Sequence, residues 1–136
     1  MKSWVIIAVI PIVAMATSCS SIKDLIDTPT AFGEFEVNGD YESVFRNLKS
    51  YALQCYQEKD YDHKVTIDAR LSSEFKSAEI YVVMRGIDLT KYKMYIGLKA
   101  LGPNETAVKV RDLFVHQAEH RLESLRTAAK ARSASC

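Results

Sequence analysis

The sequence predicts an α+β domain: an antiparallel sheet of about five strands in the order β-α-β-β-β-β-α, with two helices packed on one face. Three observations carry this. Apolar residues recur every three or four positions from Tyr41 to Tyr56, they alternate with polar ones in four runs between Val65 and Phe114, and a second helical period follows from Val115. Turn formers separate the alternating runs, so consecutive strands pair antiparallel, and half-apolar strands need one covered face.

The elements follow in order. Phe35, Glu36 and Val37 make a short strand that Asn38-Gly39 ends, and Asp40 offers a carboxylate to the free amides of a helix start. The helix from Tyr41 to Gln57 carries Tyr41, Val44, Phe45, Leu48, Tyr51, Ala52, Cys55 and Tyr56 on one stripe, with Glu42, Arg46, Asn47, Lys49 and Gln54 opposite. Its three tyrosines fit core positions whose hydroxyls reach the rim. Glu58 to His63 is a polar turn holding Asp60 and Asp62. Val65, Ile67 and Ala69 then alternate with Thr66, Asp68 and Arg70, and Ala78, Ile80, Val82 and Met84 with Glu79, Tyr81, Val83 and Arg85. Past the loop at Gly86 to Thr90, Met94, Ile96, Leu98 and Ala100 alternate with Lys93, Tyr95, Gly97 and Lys99. Gly102-Pro103-Asn104-Glu105 makes a hairpin into Thr106 to Phe114. The last helix spans Val115 to Arg132 on a narrower stripe of Val115, Ala118, Leu122, Leu125 and Ala129, and residues 133–136 form a tail. This element order resembles the helix-grip and TBP-like domains of envelope lipoproteins, a resemblance of arrangement that brings no function with it.

Ahead of the domain, Lys2, an apolar run from Trp4 to Met15 and the small residues Ala16-Thr17-Ser18 lead to Cys19. A membrane span needs about 20 apolar residues. This run is shorter, contains Pro11 and ends without a basic stop, which favours a cleaved secretory leader. With Cys19 behind the cut, the segment resembles the lipobox of bacterial lipoproteins, although Ala16 stands where the family usually has leucine. The resemblance implies that residues 1–18 are removed, that Cys19 is diacylated, and that 19–32 tether a domain at 33–132. Two or three acyl chains, at about 0.8 kcal/mol per buried methylene, hold a protein durably on a bilayer. Ser20-Ser21 lacks the aspartate that marks inner-membrane retention in that family. The implied address is therefore the periplasmic side of a Gram-negative outer membrane, with the membrane and an envelope protein as partners. The lipobox, the tether, the Phe35-Glu36-Val37 strand and the helix ending near Cys55 together resemble small proteobacterial lipoproteins.

Removing the leader from 136 residues leaves 118, with 17 basic and 17 acidic side chains, enough for one core. A neutral balance argues against nucleic acid, which needs a basic footprint. Arg121, Arg126, Lys130 and Arg132 outnumber Glu123 near the C-terminus, as suits the dipole-negative end of a solvated helix. Of three cysteines, Cys19 goes to lipid and leaves Cys55 and Cys136 as an even pair in an oxidising compartment. A bridge between them is possible. The position of Cys136 at the chain end favours the other reading, a frayed terminus with Cys55 as a small buried hydrophobe.

His116-Gln117-Ala118-Glu119-His120 matches H-x-x-E-H, the helix-borne zinc pair of inverzincin proteases. A catalytic zinc needs a third protein ligand and an open position, and only Glu123 follows, three residues on along the same helix. His116 and His120 are thus at most a weak two-histidine metal pair, and no cofactor is expected. No nucleophile elbow, phosphate loop or cysteine with a signature histidine occurs, so the chain reads as a non-enzyme. Tyr81 and Tyr95 beside Arg85, Lys93 and Lys99 on the outward strand face have the composition of a docking surface for an envelope adaptor. The other reading is a carrier or sensor of a small apolar, lipid-like ligand between the sheet and the long helix.

Overall fold

The alternating runs form strands β1 (Phe32–Asn38), β2 (Glu58–Lys59), β3 (Lys64–Ser72), β4 (Ser77–Arg85), β5 (Thr90–Gly102) and β6 (Glu105–Asp112). The helical runs form α1 (Tyr41–Cys55) and α2 (Ala118–Lys130). This computed structural model describes residues 32–59, 63–112, 118–131 and 135–136. All neighbours pair antiparallel in one sheet of order β1-β6-β5-β4-β3-β2. The first strand thus closes the sheet against the last, and β2 is a two-residue edge in the stretch that composition marks as turn. The fold is α+β, with the predicted element order extended by the two-residue β2 to six strands, and two helices on one face.

The covered face is where the stripes meet. Phe35, Val37, Ala78, Ile80, Val82, Met94, Ile96, Leu98, Val108 and Val110 from the sheet pack against Val44, Phe45, Leu48, Tyr51 and Ala52 of α1. Helix α2 adds Leu125, Ala128 and Ala129. Gly33 lets α2 approach β1, since a Cβ there would run into the Leu122 methyl groups. Asn47 on α1 donates to the Ala129 carbonyl of α2 at 3.1 Å, fixing one helix against the other.

Several polar groups at the seams are paired. Asp40 caps α1 by accepting from the Ser43 N–H at 2.9 Å, and the Ser43 donors hold its carboxyl below the usual carboxylate range. α1 stops at Cys55, two residues before the predicted end, where the Tyr56 N–H closes on the Ala52 carbonyl. Buried Thr106 donates to the Gly39 carbonyl, and the Gly39 N–H donates to Asn104, both at 2.8 Å. These two bonds bind the start of α1 to the β5–β6 turn. At the other end Asp112, 3% exposed, pairs with Arg121 at 3.1 Å. Cys136 is not frayed: a disulfide joins it to Cys55 across 81 residues.

Candidate functional site

The sheet face turned away from the helices carries the most organised polar surface among the described residues. Its centre is Gly97 on β5, paired with Glu79 of β4 on one side and Lys109 of β6 on the other. Glycine inside a strand leaves room for a neighbouring group. Here the Tyr95 ring occupies it, lying across Gly97 where a Cβ would meet the phenol. Glu79 lies on the same face, two residues from Tyr81 on β4 and opposite Gly97. Burial, then the Glu79 charge, raises the pKa of each, that of Tyr81 to about 12.

A bulge builds the rest. Between Val82 and Val83 the register slips, so that Val82 faces Met94 and Val83 faces Tyr92, leaving Lys93 as the extra residue. Tyr92 and Tyr95 therefore both flank Tyr81, with ring centroids 5.8 and 5.2 Å away. The cluster covers Tyr81, which is 6% exposed, and Val83, which is fully buried. Arg85 extends it toward the β3 edge, pairing with Asp68 at 2.8 Å and Thr66 at 3.4 Å.

Beyond Tyr95 the small residues Gly97, Ala107 and Ser77 leave an open groove of about 640 Å³. It is bounded by Glu34, Glu36, Glu79, Lys99 and Lys109, with Lys109 and Glu34 paired at 3.4 Å. Both signs of charge line it.

Of the five residues expected to share a docking surface, Tyr95 and Lys99 line this groove, and Arg85 lies on the same face beside the tyrosine cluster. Two expectations need correction. Tyr81 is a buried support for Tyr95 and Tyr92, since ring on ring removes it from solvent. Lys93 leaves the row because the bulge interrupts alternation, and it lines a separate cavity with Val82, Met84 and Met94. The sequence reading passed over Glu34, Glu36, Glu79 and Lys109, and the available signal was Gly97 itself, a glycine amid a long alternating run.

That separate cavity, about 370 Å³, opens where α1 ends, between Cys55, Tyr56, Val65, Met84, Met94 and Arg121. The Tyr56 hydroxyl is buried without a hydrogen-bond partner among the described residues, and burial pushes its pKa up. Cys19 and His116 lie outside the described residues. His120 is exposed on α2, in a hollow with Glu123 and Ser135. Among the described residues no group of three or more metal-ligating side chains gathers, and no helix is long and apolar enough to cross a membrane. Two of the C-terminal cations are paired, Arg121 with Asp112 and Arg126 with Glu123 at 3.0 Å, Arg126 also lying over the Phe35 ring, while Arg132 lies outside the described residues.

The tyrosine cluster sets an alkaline limit. A tyrosine whose folded pKa lies above its unfolded value of about 10 stabilises the fold below that pH, and loses this as pH rises through the folded value. The denaturation midpoint therefore falls as pH rises from about 10 to about 12, and absorbance at 295 nm shows a late phenolate that Tyr81→Phe removes. Titration of every tyrosine near 10 would refute the cluster's geometry. No protein-family model and no curated protein matches the chain.

Proposed function

We propose that the chain is a lipoprotein of the Gram-negative envelope, held through acylated Cys19 on the periplasmic side of the outer membrane. There it acts as a non-enzymatic adaptor that seats an envelope protein in the Gly97 groove. The observation that carries this is the asymmetry of the sheet, with two helices on one face and, on the other, a groove of about 640 Å³ walled by Glu34, Glu36, Glu79, Lys99 and Lys109 beside the Tyr95 ring that lies over Gly97. The Cys55–Cys136 bridge supports the compartment, since disulfides persist in oxidising surroundings. The lipobox resemblance at Cys19 supports the anchor.

Photo-crosslinkers placed at Lys99 and Lys109 in intact cells are expected to join the protein to a discrete partner, and one at exposed Leu53 on α1 is not. Glu79→Lys is expected to weaken the groove crosslinks several-fold by reversing one wall's charge. The same products from all three positions, or none, would remove the adaptor reading. Palmitate labelling that survives Cys19→Ala would remove the address.

The 370 Å³ cavity favours a second reading, a carrier of a small lipid-like molecule whose polar end meets the Tyr56 hydroxyl. Decanoic acid is then expected to raise the unfolding temperature of the wild type and not of Met94→Trp, which fills the space. Equal response of the two proteins would end this reading.

A further inference from the structure

The β4–β5 hairpin tip holds an isoleucine fully in solvent. Ile87 is 95% exposed and Leu89 43%, and the Gly86 N–H donates to the Leu89 carbonyl at 2.7 Å, closing the loop so that Ile87 cannot fold back onto the core. Isolated exposed apolar residues are ordinary, but two further observations give this one a direction.

The first is where the chain enters the sheet. Phe32 of β1 stands opposite Arg111, which stands opposite Tyr95 and, through it, Tyr81. The hairpin continues five residues past that row, about 15 Å at strand spacing. Among the described residues the hairpin thus projects well past the level at which the tether from Cys19 joins. The 13 residues from Cys19 to Ala31 reach at most about 45 Å when extended.

The second is charge. Lys64, Arg85 and Lys91 are exposed on three successive strands at the base of the tip, with Lys64 opposite Arg85 and Lys91 opposite Met84. Among the described residues the acids near them are Asp88 in the loop, exposed Glu58 of β2 opposite Val65, and Asp68, which pairs with Arg85. An apolar point above a ring of cations matches an anionic phospholipid surface, whose headgroups meet lysine and arginine while the acyl boundary takes the aliphatic side chain.

We propose that the β4–β5 tip is a second membrane contact, in which Ile87 and Leu89 enter the phospholipid interface and Lys64, Arg85 and Lys91 meet anionic headgroups. It rests on the lipid-anchor reading. Alone such a contact is weak, but a tether that confines the domain to the surface raises its effective concentration. The contact fixes the sheet upright on the bilayer. The β3–β4 and β5–β6 turns, with exposed Phe75 and Leu101, then point away from the lipid.

The experiment uses acylated protein in vesicles of phosphatidylethanolamine and phosphatidylglycerol, with and without brominated acyl chains. The chain's single tryptophan, Trp4, lies in the leader, so Ile87→Trp gives the mature protein one fluorophore and Phe75→Trp gives a control at the opposite end. The expected result is a blue-shifted emission quenched about twofold or more by bromolipid at position 87 and unquenched at 75. Flotation with the vesicles but no quenching at 87, or equal quenching at both positions, overturns the tip contact and leaves the anchor standing. Failure of the protein to float overturns both.

Discussion

Replacing Cys136 with serine is expected to lower the unfolding free energy by about 4.5 kcal/mol, the chain-entropy value for a loop of this length. The bridge closes residues 55 to 136, a separation of 81, which takes in β2 to β6 and α2. Without it the denatured chain recovers the freedom to separate α1 from everything that follows. Cys136 is exposed and Cys55 half-buried at the end of α1, so the substitution opens no core cavity and the loss falls almost entirely on the unfolded state. The check is urea denaturation of wild type, Cys136→Ser and the Cys55→Ser Cys136→Ser pair, each with and without reductant. Reductant should bring the wild type to the stability of the variants and leave the variants unchanged. A difference below about 1 kcal/mol would mean that the reduced unfolded chain keeps its ends close, and the entropic account would fail.

The disulfide also marks where sequence reasoning stopped. Local periodicity predicts the α1 stripe well, because helical spacing is a property of neighbours. Val44, Phe45, Leu48, Tyr51 and Ala52 are buried as their spacing requires. The same holds for Ser77 to Arg85, whose alternation gives the bounds of β4. Cys136 is different. Its partner lies a whole domain away, and nothing near residue 136 distinguishes a tied terminus from a frayed one. The site divides the same way. Tyr95 and Lys99 follow from strict alternation in β5, but the extra residue at Lys93 shifts Tyr92 onto the outer face, and a bulge has no signature in a run where Tyr92 and Met94 are both apolar enough for the core. Glu79 becomes part of the groove through its pairing with Gly97, and Lys109 through pairing on the other side. Register is a tertiary quantity that one strand's composition does not contain.

Leu125→Ala is the second large effect, an expected loss of about 3 kcal/mol. Helix α2 buries little: Ala128 and Ala129 are small, Leu122 is partly buried over Gly33, and Leu125 is its one large side chain completely removed from solvent. Truncating it leaves a cavity between α2, α1 and β1 that the neighbouring alanines cannot fill. The deficit should concentrate in α2, so amide exchange in residues 121–130 speeds up much more than in β4 and β5, while Leu122→Ala costs less because its site is already half open. The tail beyond α2 is held to α1 by the disulfide, so a loosened α2 stays close to its seat in the oxidised protein. Cys136→Ser removes that restraint. The double variant Leu125→Ala Cys136→Ser should therefore show fast exchange across all of α2 and lose more stability than the two single changes added together, a coupling that sites without a shared element do not show. Uniform acceleration of exchange over the whole sheet by Leu125→Ala alone would instead make α2 an inseparable part of the cooperative core, and the disulfide's restraint on it would have nothing left to act upon.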